Sequence, residues 1–104
     1  MDSAERKHLR RIAHHLHPVV IVGDGGVSDA VIAETNRALD DHELLKVKVN
    51  ALDREDRSEM IDALAAACQA EVVQKIGKIV VLYRRNPDAK PDLSNVSRAS
   101  RAGR

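Results

Sequence analysis

Apolar residues return at helical spacing at the start of the chain, as Leu9, Ile12, Ala13 and Leu16, behind Asp2 and Glu5 set three apart like a capping box. This pattern predicts a first helix over about residues 3 to 15, ended by Pro18. The opposite side of that helix is patterned as well. Lys7, Arg10, Arg11 and His14 fall at i, i+3, i+4 and i+7, which lines three fixed charges and one titratable group along one stripe. Pro18-Val19-Val20-Ile21-Val22 is then a short β-branched run, as expected of a strand buried on both faces or in the middle of a sheet. It stops at Gly23-Asp24-Gly25-Gly26.

Beyond the glycines, Ser28 or Asp29 can cap a second helix whose Val31, Ile32, Thr35, Ala38 and Leu39 point inward. Asp40, Asp41, His42 and Glu43 read as a solvated turn. Leu45, Val47 and Val49 alternate with Lys46, Lys48 and Asn50, giving a strand with one apolar and one basic face. A third helix opens on the acidic Asp53 to Asp56 and carries Met60, Ile61, Leu64, Ala65 and Cys68 as its inward stripe. Two further β-rich runs between Val72 and Arg84 flank Gly77-Lys78, a pair suited to a hairpin turn. The expected organisation is a folded domain over residues 1–85 and a disordered tail over 86–104, where large apolar residues become scarce.

Composition sharpens this outline. With 104 residues, 43% of them hydrophobic, one domain is expected, and a core without Trp or Phe must be built from aliphatic side chains. A single aromatic residue, Tyr83, argues against RNA-binding modules that hold bases on several aromatic platforms. Any nucleic acid would be held mainly by its backbone. The net charge of +1 hides an uneven distribution: residues 1–17 carry +2, residues 84–104 carry +4, and the stretch between them −5. The lone Cys68, inside an Ala-rich run, reads as a buried core residue in a reducing compartment. The charged N-terminus has the features of neither a secretory signal nor a membrane span, so the cytoplasm is the expected location.

The glycine loop is the first candidate for function. Residues without Cβ between a strand and a helix let backbone N–H groups and the positive helix end face one anion. A P-loop is ruled out because no Lys follows these glycines, and Gly77-Lys78 lacks the upstream glycine and the hydroxyl. A dinucleotide fingerprint fails at its third small position. His14, His15 and His17 lack the partner a metal site needs, and no G-x-S-x-G nucleophile element is present. No catalytic set, cofactor, metal or small-molecule substrate is therefore expected.

Three separated motifs, in this order, resemble one family: the run from Pro18 to Val22 with its Gly23 to Gly26 loop, His42 to Val49, and Ile76 to Arg84. Together they resemble the CRM (chloroplast RNA splicing and ribosome maturation) domain, in its stand-alone bacterial YhbY-like form. The resemblance implies an α+β fold, a two-layer α/β sandwich of order α-β-α-β-α-β-β with a four-stranded mixed sheet, similar to the C-terminal domain of translation initiation factor three. It also implies binding to structured RNA and to precursors of the large ribosomal subunit, through the G-x-x-G loop and nearby basic surface. Asp24 departs from the pattern, so either its side chain points away from the anion or the contact there is weaker. His17 stands where similar proteins often have Lys, which would make affinity rise as pH falls.

The expected function is thus non-catalytic RNA binding in large-subunit assembly, with no membrane partner. The expected RNA-binding residues are Gly23, Asp24, Gly25, Gly26, Lys7, Arg10, Arg11, His14, His17, Lys46, Lys48, Lys78 and Arg84. The alternative is a ribosome-associated protein-interaction module whose basic segments only solubilise it.

Overall fold

The first helix forms behind its expected cap: Asp2 accepts the Glu5 N–H at 2.8 Å, and α1 spans Ser3–Ala13. A computed structural model describes the backbone of residues 1–102 and the side chains of residues 1–99. After α1 come β1 (Pro18–Val22), α2 (Asp29–His42), β2 (Leu44–Val49), α3 (Arg54–Ala67), β3 (Glu71–Ile76), β4 (Ile79–Tyr83) and α4 (Asn95–Ala102). Ser28 caps α2 by accepting the Val31 N–H, and Asp53 caps α3 by accepting that of Asp56.

The four strands lie in the order β1-β2-β4-β3, with β1 parallel to β2 and the other pairs antiparallel. This is an α+β fold with a mixed sheet. Strand β1 is an edge strand, not the doubly buried one its apolar run predicts. Val20 and Val22 enter the core while Val19 and Ile21 stay 50% and 61% exposed on the other face. A run of β-branched residues tells strand from helix here, but not how many faces are covered.

One face of the sheet is covered by α2 and α3, whose Leu39, Ile61 and Leu64 close over Val20, Val22, Leu45, Val47, Val49, Val80 and Leu82. This is the expected two-layer arrangement, with Cys68 inside it. Burial pushes the Cys68 thiol up, against a smaller opposing pull from Arg84. The other face carries a partial third layer. There Leu9 and Ala13 of α1 pack on Leu44, Val73 and Val81, with Val96 of α4 beside them.

That third layer includes chain that the sequence assigns to a disordered tail. Residues 86–94 instead form turns, and α4 follows; the tail's last two residues, 103 and 104, lie outside the described residues. Glu43 anchors the segment. It is buried, and its carboxylate accepts the Asn86 N–H at 2.8 Å and the Ser94 O–H at 2.7 Å. Ser94 Oγ in turn accepts the Ser97 N–H at the start of α4, and Asn95 Nδ2 donates to Leu44 O at 2.7 Å. Glu43 is therefore no part of a solvated turn, although Asp40 and Asp41 are exposed.

Candidate nucleic-acid interface

The basic stripe of α1 is exposed as its spacing predicts, and it borders the part of the sheet that α1 leaves uncovered. Lys7, Arg10, Arg11, His14 and His15 line one wall of a groove of about 410 Å³, and Lys46, Gln74 and Ile76 line its floor. No carboxylate is among these lining residues. The rings of His14 and His15 meet edge to face, 5.2 Å apart.

Register explains the floor. Lys46 lies beside Val81 and Pro18, and Lys48 beside Ile79 and Ile21, all on the face opposite the larger core. In β3 the register shifts between Val72 and Gln74, which puts Val73 under α1 and still turns Gln74 to the same face as its partner Val81. Arg6 Nη1 donates to the carbonyls of Val72 and Val73 at this bulge. Ile21, Lys48, Ile79 and Ile76 then form one row across all four strands.

The glycine loop lies at the other end of β1. Gly26 takes φ +68°, its N–H donates to Gly23 O at 3.0 Å, and Ser28 N–H donates to Gly26 O at 3.0 Å. Those two amides are therefore used within the loop, while Asp24 and Gly25 are exposed at its tip. The groove beside α1 reaches Lys46, which pairs with Pro18, the first residue of β1. Five residue steps of extended strand run from Pro18 to Gly23, about 16 Å. None of Gly23 to Gly26 lines the groove, and Lys48 lies on the open face between Lys46 and the loop. The Gly77-Lys78 turn joins the loop end, since Lys78 O accepts the Val49 N–H at 2.7 Å.

A model of the CRS1 / YhbY (CRM) domain family matches residues 1–84. The chain belongs to this family. Among CRM relatives, it is 46% identical over 98 residues to a probable RNA-binding protein of Pseudomonas aeruginosa, covering 94% of each chain. It is 43% identical over 93 residues to an RNA-binding protein of Haemophilus influenzae, covering 89% of this chain and 94% of that one. The solution structure of a hypothetical Staphylococcus aureus protein aligns with a TM-score of 0.75 at 31% identity, over 86% of this chain and 94% of that one.

The CRM motif running from Ile76 to Arg84 ends in a residue that the structure removes from the candidate surface. Arg84 Nη1 donates to Asn36 Oδ1 and Cys68 O at 2.8 and 2.7 Å, and Nη2 donates to Asn36 O and Asp40 Oδ1 at 3.0 and 2.8 Å. It clamps α2 and α3 to the end of β4, at the sheet end opposite the glycine loop. His17 is exposed in the link to β1 and lines neither the groove nor the loop. Sequence reasoning missed three groove residues. His15 was within reach, being one turn beyond Arg11, whereas Gln74 and Ile76 face the groove only because of the bulge. Among the described residues no helix is long and apolar enough to cross a membrane, and no group of three or more His, Cys, Asp or Glu is placed to hold a metal.

Proposed function

We propose that this CRM chain is a non-catalytic RNA-binding protein that contacts precursor large-subunit rRNA during ribosome assembly in the cytoplasm. The observation that carries RNA binding is the carboxylate-free cationic groove between α1 and the open sheet face, in a family whose relatives are named RNA-binding proteins. The ribosomal assignment rests on the motif resemblance. Lys7, Arg10, Arg11 and Lys46 neutralise phosphates along the groove, and Lys48 leads the strand toward the loop and Lys78. Recognition of this kind follows RNA shape more than base edges.

The test is affinity for naked rRNA fragments across a salt series. Each neutralised phosphate contributes about 0.7 to 0.9 to the salt exponent. Lys7→Glu with Arg10→Glu is expected to weaken binding by at least about a hundredfold and to lower the exponent by about two. A flat salt dependence refutes the reading. Crosslinking to ribosomal precursors, with the attached nucleotides mapped, tests the rRNA assignment.

One observation favours a second reading. Val19, Ile21 and Ile76 are each at least half exposed on the same sheet face, which suits docking of a protein. In that case Ile21→Glu abolishes association with the ribosome while affinity for naked rRNA is unchanged.

A further inference from the structure

The solvent side of α1 carries basic side chains from flank to flank. Between residues 7 and 15 the exposed polar positions are Lys7, His8, Arg10, Arg11, His14 and His15, with no acid among them. At 100° per residue they span an arc of about 160°. One flank faces the groove already described. The other faces a second and larger groove, about 720 Å³, between α1 and α4. His8, Arg11 and His15 form one rim of it and Arg98 the other, over an apolar floor that includes Ile12 and Leu16. None of its described lining residues carries a carboxylate. Arg11 and His15 belong to both grooves, so they form the crest of the helix.

The wall formed by α4 is held in place by the chain itself. Ser94 is fully buried against Glu43, Asn95 donates to Leu44 O at 2.7 Å, and Val96 packs into the smaller core. Arg98 stands exposed one turn beyond Ser94, with its Nη2 3.3 Å from Asn95 Oδ1.

We propose that the groove between α1 and α4 is a second seat for RNA phosphates, so that α1 lies as a ridge between the two backbones of a base-paired RNA. This rests on the RNA-binding reading above and adds the form of RNA and a second row of contacts. An α-helix with its side chains is about 10–12 Å across. The minor groove of duplex RNA is wide and shallow and is bordered by two phosphate rows, whereas a single strand offers only one row. Lys7, Arg10 and His14 face the first row, His8 and Arg98 face the second, and Arg11 and His15 lie over the groove between them.

The experiment compares a perfectly paired RNA hairpin with an unpaired strand of the same composition, each titrated against the full chain across a salt series at pH 7. The native protein is expected to favour the hairpin. Arg98→Glu is expected to weaken hairpin binding about tenfold and to lower its salt exponent by about one, and His8→Glu, which puts a carboxylate on the opposite rim, is expected to weaken it about threefold. The unpaired strand, held in the first groove alone, changes by less than about threefold. Arg98→Lys keeps hairpin binding, which separates charge from the structure of α4. Unchanged hairpin affinity in both Glu variants, with Lys7→Glu still impaired, overturns the second seat and leaves that groove to a protein partner. Equal losses for hairpin and strand overturn the ridge arrangement. A native protein that binds neither RNA overturns the parent reading, and this one with it.

Discussion

Glu43 takes φ 61° and ψ −44°, a backbone conformation that residues with a side chain rarely adopt. Four hydrogen bonds fix it there. Its N–H donates to Leu39 O, its carbonyl accepts from Arg84 N–H, and its carboxylate accepts from Asn86 and Ser94. Replacing it with Ala leaves the buried Ser94 hydroxyl and the Asn86 amide without acceptors. Glu43→Ala is expected to cost on the order of 2 kcal/mol, which lowers the thermal midpoint of a domain this size by about 10 °C. Thermal unfolding followed by circular dichroism checks this, and an unchanged midpoint would mean that Glu43 does not anchor the C-terminal segment. Arg84 is a similar case at the other side of that junction. A basic residue after a strand reads as surface, because nothing local in the sequence says that Asn36, Asp40 and the Cys68 carbonyl converge on it.

At the scale of elements, periodicity was a dependable guide where one side chain repeat answered to one environment. The three long helices, the half-buried β2 and the hairpin turn at Gly77-Lys78 stand where Leu9, Leu39, Leu64 and the Lys46/Lys48 alternation placed them. It misled where partners are distant in sequence. The exposure of Val19 and Ile21 depends on β1 being an edge, and the order of residues 86–102 depends on Glu43, His42 and Leu44. The glycine loop is intermediate. Its position was legible, but its internal hydrogen bonds were not. A Cβ at Gly25 meets nothing within 4 Å, so Gly25→Asp leaves the fold intact while placing a second carboxylate at the exposed tip. Its expected effect on RNA affinity is a loss of about three- to tenfold, smaller than the paired α1 substitutions give, because a single anion contact is at stake. Equal unfolding midpoints with an affinity loss in filter binding establish the loop as a contact; an unchanged affinity removes it.

For the molecule as a whole, the sheet sets a distance that no motif reveals. The basic groove runs from Lys46, level with the start of β1, to Ile76 beside the Gly77-Lys78 turn, while the glycine loop follows the far end of β1, about 16 Å from Pro18 along the extended strand. At roughly 3.4 Å per stacked nucleotide, a strand must be about five nucleotides long before it touches both ends. Shorter oligonucleotides should behave as two weak, independent ligands. Once a single oligonucleotide bridges the gap, its second attachment becomes intramolecular, and apparent affinity should climb steeply with length and not in equal steps. A length series measured by fluorescence anisotropy reads that threshold directly, and its position acts as a molecular ruler for the strand that holds the two ends apart.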